Sequence, residues 1–115
     1  MRFSIDRQDN IAIFTLKNNK LDADIAPQLK AELLILCQPE LEALVFDMTF
    51  VEHVDSTGLG ALLLANRQLK DTEAPIILVG VKEMVMKMLS ISQLDSIFDY
   101  AETVDEAIQY LKDGN

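Results

Sequence analysis

The amino-acid sequence predicts an α/β fold built on one mixed β-sheet. Two features predict it. The chain opens with two apolar runs around a polar turn, as in a β-hairpin. Later apolar runs of strand length alternate with segments of helical periodicity. A chain of 115 residues, half of them hydrophobic, is long enough for one domain with a single core. We therefore expect one domain over residues 1–115, without linkers or repeats.

The first two strands are predicted at the start of the chain. "MRFSID" alternates apolar and polar residues, as a half-buried strand does, and "IAIFTLK" follows after the polar turn Gln8-Asp9-Asn10. Two such runs around a short polar turn form a hairpin, whose strands are antiparallel. This hairpin is what makes the predicted sheet mixed.

The first helix is predicted within "LDADIAPQLKAELLILCQ". Asp22 or Asp24 can cap its start, and Pro27 is tolerated only in its first turn. The apolar residues recur at spacings of four, four and three, which places them on one face of the helix. These residues are Ile25, Leu29, Leu33 and Leu36.

Two later runs, "ALVFDM" and "PIILVGV", are apolar at nearly every position. This is typical of central strands that are covered on both faces. Because helices alternate with the later strands, we expect those strands to be parallel, with right-handed connections. The helix between the two runs is predicted to bury a leucine stripe, made of Leu59, Leu62, Leu63 and Leu69.

The C-terminal third predicts two more helices and a last short strand within "SIFDYAE". In "KEMVMKMLSI" we expect the methionines to act as core filler. Thr103 opens the last helix, and Glu106 completes a capping box three residues later. The buried faces of the two helices are predicted to be Met84, Val85, Met88 and Leu89 in the first, and Ala107, Ile108 and Leu111 in the second.

Composition and charge exclude several classes of function. The net charge is −9 and the ten Lys and Arg residues are scattered, so we expect no nucleic-acid binding. Cys37 is the only cysteine, so the chain can form no internal disulfide, which is consistent with a reducing cytoplasm. We interpret it as a small apolar residue at the end of a helix. The first residues lack an apolar signal core, and the longest apolar run, "IILVGV", is too short to cross a bilayer. These features predict a cytoplasmic protein that does not bind membranes.

Chemistry-bearing residues concentrate in "FVEHVDSTGLGALLLA", at residues 50–65. Asp55 or Ser56 can accept hydrogen bonds from the free amides of the helix that follows. Gly58 and Gly60 permit tight turning and close approach by another surface, so we expect a side chain at Gly58 to disturb partner binding more than folding. A phosphate on Ser56 would gain up to about 1 kcal/mol from the helix dipole. It would also place nearly two negative charges beside Asp55 and so alter a docking surface.

Three nucleotide or catalytic motifs do not fit this stretch. A phosphate-binding P-loop needs a Lys-Ser or Lys-Thr pair after its glycines, and none follows Gly60. A dinucleotide fingerprint needs three glycines where this stretch has two. A hydrolase elbow needs glycine two residues before the serine, where Val54 stands.

The stretch "VFDMTFVEHVDSTGLGALLLA" resembles the signature of the STAS domain, as found in bacterial anti-sigma factor antagonists. In that family a strand that ends in an acid is followed by a short segment and then Asp-Ser-Ser/Thr-Gly-Leu-Gly. "LDADIAPQLKAEL" and "LDSIFDYAETVDEAI" also resemble the first helix and the last strand and helix of the family. The resemblance implies one STAS domain over 1–115, with four to five strands and about four helices packed mainly on one face. The matching positions are Asp47, Asp55, Ser56, Thr57, Gly58, Leu59 and Gly60.

The resemblance also implies a function. The unmodified antagonist would bind an anti-sigma factor that is also a serine kinase. The kinase would then phosphorylate Ser56, and the complex would dissociate. A serine phosphatase would remove the phosphate and restore the first state. Asp55 would position the acceptor hydroxyl, and Thr57 is a weaker candidate acceptor. The antagonist would catalyse nothing and need no cofactor or metal. The implied partner-binding segment consists of Asp55, Ser56, Thr57, Gly58, Leu59 and Gly60.

Three alternatives remain open at this point. The same domain could be an adaptor subunit of a lipid-transport or stressosome-like assembly, without regulated phosphorylation. A receiver-like phospho-acceptor would use Asp47, but it needs an acidic pair after the first strand, which offers only Asp6. An enzyme would use Ser56 as nucleophile and His53 as base.

Overall fold

A computed structural model describes residues 1–113 of the chain, so the last two residues of the predicted domain lie outside the described part. Within this range, no helix is both long and apolar enough to cross a membrane. The strands are β1 Phe3–Gln8, β2 Ile11–Leu16, β3 Lys20–Leu21, β4 Ala43–Asp47, β5 His53–Val54, β6 Ile76–Val79 and β7 Asp99–Ala101. The helices are α1 Ala26–Leu36, α2 Ser56–Leu69, α3 Glu83–Ile91 and α4 Val104–Asp113.

The main sheet has five strands in the order β1-β2-β4-β6-β7. β1 and β2 pair antiparallel as the predicted hairpin, and the other neighbours are parallel, which confirms the mixed sheet. A second small sheet was not predicted. It joins β3 and β5 in parallel, with Lys20 opposite His53 and Leu21 opposite Val54.

The helices cover both faces of the main sheet unequally, as predicted. The larger cluster of buried side chains includes Leu33 of α1, Leu62 of α2 and Val85 of α3. Phe14 and Phe46 stack within it, with ring centroids 5.2 Å apart. The intervening residues of the same strands point to the opposite face, where α4 is the one helix of residues 1–113 that packs. The smaller cluster there consists of Ile13, Val45, Ile77, Val79, Ala107 and Ile108.

The start of α1 differs from the prediction. The Asp22 side chain accepts a hydrogen bond from the amide of Asp24 at 3.0 Å, which holds a local turn instead of a helical cap. The helix begins at Ala26, and its N-cap residue, Ile25, makes no capping side-chain bond. Pro27 lies in the first turn, as predicted, but neither aspartate caps the helix. The predicted apolar face is confirmed, since Ile25, Leu29, Leu33 and Leu36 are all buried.

Two predicted core residues belong to neither hydrophobic cluster. Leu63 is half-buried while its neighbour Leu62 is 1 % exposed, because each helical residue is turned by about 100° from the one before, which places Leu63 at the edge of the buried face. Met84 lies in the first turn of α3 and is 56 % exposed, so it is not core filler. Met88 packs half-buried against the core, which agrees with the predicted role of the methionines there.

The ends of α1 and α4 follow the prediction in most details. Cys37 is a buried residue at the C-cap of α1. At the start of α4, the Thr103 hydroxyl accepts a hydrogen bond from the amide of Glu106 at 3.1 Å. The Glu106 carboxylate accepts from the amide of Glu102, one residue before the position that a capping box requires. Ala107 and Ile108 are buried and Leu111 packs against them.

Candidate functional site

The start of α2 is held by the small sheet of β3 and β5. After β4 leaves the centre of the main sheet, the chain returns through β5, which pairs with β3. The amide of Asp55 then donates to the carbonyl of Leu21 at 3.2 Å. Leu21 is fully buried, so this contact fixes the point at which the chain enters α2.

Asp55 is the N-cap of α2. Its backbone is extended, and its Oδ1 accepts a hydrogen bond from the amide of Gly58 at 2.8 Å. Of the two capping residues that the sequence left open, the structure therefore selects the aspartate. Because the carboxylate occupies the capping position, the Ser56 hydroxyl is not needed there.

Ser56 is the first residue of α2, as predicted. Both Ser56 and Thr57 are exposed, whereas Asp55 is half-buried. Within residues 1–113 the Ser56 side chain has no hydrogen-bond partner. The hydroxyl can therefore be reached from solvent at the positive end of the helix dipole.

The glycines of this segment differ from each other and from the expectation. Both lie inside α2, and neither has a positive φ, so neither is needed for a turn. A Cβ on Gly58 would lie 2.3 Å from the carbonyl oxygen of Leu21, whereas a Cβ on Gly60 would meet nothing closer than the Lys30 Nζ at 3.9 Å. The close approach predicted at Gly58 is real, but it is made within the chain. The expectation that a side chain at Gly58 disturbs binding more than folding is therefore revised, since Leu21 must first be displaced.

The predicted partner-binding segment is only partly accessible. Gly58 is buried and Leu59 is 4 % exposed within the larger core cluster. Gly60 is half-buried. A docking protein can thus contact Asp55, Ser56, Thr57 and Gly60 directly, while Leu59 anchors the first turn of α2 from below.

The residues that a receiver or a hydrolase would use make other contacts than those activities need. Asp47 accepts hydrogen bonds from the amide and the hydroxyl of Thr49 at the end of β4. No cluster of three His, Cys, Asp or Glu residues within 1–113 could hold a metal ion. His53 is exposed, lines an open cleft of about 350 Å³ with Asp55, and makes no hydrogen bond to Ser56 in the described part of the chain.

The contacts that three residues make around the site could not be predicted from the sequence. Leu21 holds Asp55 and packs on Gly58, Lys30 of α1 reaches Gly60, and the Lys82 ammonium donates to the carbonyl of Thr49. Each joins residues that are far apart in the chain, and periodicity carries no information about such pairs. The sequence feature that comes nearest to predicting one of them is Gly58. A glycine there indicated a close approach but not which residue makes it.

Comparison with known proteins identifies relatives over nearly the whole chain. The STAS domain family model matches residues 2–107. An anti-sigma-B factor antagonist of Listeria monocytogenes is 31% identical over 91 residues, which are 79% of this chain and 78% of the relative. BtrV of Bordetella bronchiseptica, named as a putative anti-sigma factor antagonist, is 29% identical over 112 residues, 97% of this chain and 96% of the relative.

Solved structures agree in fold. The anti-sigma factor antagonist SpoIIAA in its unphosphorylated form superposes with a TM-score of 0.83 at 21% identity, and the match covers 96% of each chain. SpoIIAA of Bacillus has also been solved in a phosphorylated form, with a TM-score of 0.76 at 21% identity, over 96% of this chain and 99% of that one. The overall fold of the chain is therefore one that these solved structures of SpoIIAA share.

Proposed function

The chain belongs to the STAS domain family, and on that premise we propose that it is an anti-sigma factor antagonist that changes partners when Ser56 is phosphorylated. The observation that carries the proposal is the division of roles at the start of α2. Asp55 caps the helix, and Ser56 beside it is exposed and unbonded within residues 1–113. A kinase can modify such a hydroxyl without first breaking a contact of the fold.

The proposed cycle begins with the unmodified protein. It binds an anti-sigma factor that is also a serine kinase, and the sigma factor is released. The Ser56 oxygen then attacks the γ-phosphorus of ATP held by the kinase, ADP leaves, and the hydroxyl proton is lost to solvent or to a kinase base. A serine phosphatase hydrolyses the phosphoserine and restores the first state. All catalytic groups belong to the partners, so this chain acts as a cytoplasmic substrate and ligand, without a cofactor.

Electrostatics and packing support release as the consequence of phosphorylation. The protein already has a net charge of −9, and the half-buried Asp55 is adjacent to the modified residue. A docked partner would have to remove water from a near-dianion next to a carboxylate, which is costly when the charge is not compensated. The fold itself should tolerate the phosphate, because a negative charge at a helix N-terminus is stabilising.

An exposed aromatic residue extends the proposed docking surface. Phe50 precedes Asp55 by five residues on the same connection and is 53 % exposed. Aromatic side chains of this kind commonly anchor protein interfaces, while charged groups around them set specificity. We therefore include Phe50 with Asp55, Ser56, Thr57 and Gly60 in the surface that the anti-sigma factor contacts.

The proposal is tested by mixing the purified protein with its anti-sigma factor kinase and ATP. We expect one phosphate, mapped to Ser56 by tandem mass spectrometry, and dissociation of the complex on a sizing column. Thr57→Ala should be modified normally and Ser56→Ala should not. A stable complex without phosphate on this segment would instead favour an adaptor role in a larger assembly.

A further inference from the structure

Lys30 of α1 reaches across to Gly60 of α2. Its Nζ lies 3.9 Å from the point that a Cβ on Gly60 would occupy. The side chain is half-buried, and its ammonium forms no hydrogen bond or ion pair within residues 1–113. A cation in this position without a bound anion is available to pair with a negative charge that arrives nearby.

Ser56 lies one helical turn before Gly60 in α2. Residues four apart on a helix are neighbours on one face, with Cβ atoms about 5–6 Å apart, so Ser56 and Gly60 lie side by side. Gly60 has no side chain, and no Cβ therefore separates Lys30 from the surface that leads to Ser56. A phosphoryl group on the Ser56 hydroxyl would extend over this surface, within reach of a flexible ammonium with three donors.

We propose that Lys30 is the intramolecular partner of the phosphate on Ser56. The inference rests on the proposed phosphorylation and adds how the modified state is held. The phosphate would bridge α2 to α1 through a charge-assisted contact, and Lys30 would offset part of the charge that Asp55 repels. Phosphorylation would then do more than add charge, because the bridged group would also cover Gly60 and close the surface on which the partner docks.

Other charged groups near Ser56 are arranged less favourably for this role. Lys20 and His53 line a separate cleft that also contains the carboxylates of Asp22 and Asp55. Lys30 is not among the residues that line this cleft, and it lies against α2 at Gly60. Lys30 is the lysine placed beside the face of Ser56 and Gly60, with its Nζ 3.9 Å from the Cβ position at Gly60.

The test uses full-length protein with phosphoserine incorporated at position 56 during translation, so that no kinase is needed. Phosphorus NMR then follows the second ionisation of the phosphate, whose ordinary pKa is about 6. We expect Lys30→Met to raise this pKa by about 0.5 to 1 pH unit relative to the otherwise unaltered phosphoprotein, because a nearby cation favours the dianion. Lys30→Arg should keep the lower value, since it retains the charge.

Lys70→Met is the matched control. Lys70 lies at the C-terminal end of α2, about 20 Å from Ser56 along the helix axis, and its removal should leave the phosphate pKa unchanged. Equal pKa values in Lys30→Met and the unaltered phosphoprotein would overturn the pairing, as would an equal effect of Lys70→Met. A kinase that modifies another residue would defeat the proposed function but would not affect this titration, so the two failures can be told apart.

Discussion

The carbonyl group of Leu21 is in contact with both ends of the first turn of α2. It accepts a hydrogen bond from the amide of Asp55 at 3.2 Å, and it lies 2.3 Å from the position that a Cβ on Gly58 would occupy. Leu21 cannot retreat from a larger residue at position 58 without lengthening its bond to Asp55. Ser56 lies between these two contacts in the sequence, so the small strand β3 determines where the candidate phosphorylation site is presented.

The first prediction compares the two glycines of α2. Gly58→Ala should lower the free energy of unfolding by about 1–3 kcal/mol, because the new methyl group overlaps a backbone oxygen. Gly60→Ala should raise it by up to about 1 kcal/mol, since the position is helical, alanine favours helix, and the new methyl group would meet the Lys30 Nζ only at an ordinary 3.9 Å. Urea unfolding of both variants measures the difference. Equal stabilities would mean that Leu21 moves aside without cost.

A second prediction separates the capping role of Asp55 from its charge. Asp55→Asn retains an oxygen that can accept from the amide of Gly58, so it should unfold within about 0.5 kcal/mol of the wild type. Asp55→Ala leaves that amide without its side-chain partner and should lose about 1 kcal/mol. Urea unfolding at pH 7 distinguishes the two. A loss in Asp55→Asn as large as that in Asp55→Ala would show that the charge, not the hydrogen bond, stabilises the turn.

The third prediction concerns pH and Cys37. Burial raises the pKa of this thiol from 9.0 to about 11, because the thiolate is poorly solvated inside the protein. The folded state therefore holds the proton more tightly than the unfolded state, and stability falls as the pH rises from about 9 towards 11. Cys37→Ala lacks this contribution, so its stability relative to wild type should improve over that range. Urea unfolding at pH 8 and pH 10.5 provides the measurement.

A thiol reagent checks the same point independently. At pH 8 the folded protein should react with it only as fast as the chain opens, while urea-unfolded protein should react at once. Rapid labelling of the folded protein would contradict the burial of Cys37 at the end of α1.

Long-range pairing explains most of the difference between the sequence-based fold and the observed one. Alternation, continuous apolar runs and helical periodicity predicted β1, β2, β4, β6 and all four helices. The expected half-burial of β1 was wrong, since this edge strand buries none of its residues. β3 and β5 have two residues each, too few for a pattern to form, and they exist because they pair with each other. The start of α1 was misplaced for a local reason, since the Asp22 side chain bonds the amide of Asp24 in a turn.

The candidate site was predictable in its residues but not in its geometry. The motif indicated Ser56, and helix-capping chemistry indicated that either Asp55 or Ser56 would cap α2. Only the fold shows that Asp55 holds the cap, that Leu59 is buried and that Gly58 serves internal packing. Nothing in the sequence distinguishes Lys30 from the other scattered lysines. Its position next to Gly60 depends on the packing of α1 against α2.

The last prediction concerns the switch itself. Ser56→Ala should bind the anti-sigma factor constitutively, because the surface stays neutral at position 56 and cannot be phosphorylated. Ser56→Asp should bind about 100-fold more weakly, since a buried uncompensated charge costs several kcal/mol and each 1.4 kcal/mol is tenfold in affinity. Isothermal titration of both variants against the cognate anti-sigma factor, with wild type as reference, gives the two dissociation constants.

Thr57→Ala separates the residue at position 56 from a general sensitivity of this surface. Thr57 is exposed next to Ser56, so its truncation changes shape nearby but removes no acceptor if Ser56 is the site. It should bind like the wild type and still be released by ATP.

The aspartate of Ser56→Asp is shorter than phosphoserine and carries less charge, so genuine phosphorylation should weaken binding at least as much as Ser56→Asp does. Equal affinities of Ser56→Ala and Ser56→Asp would contradict a charge-controlled release and favour an adaptor role.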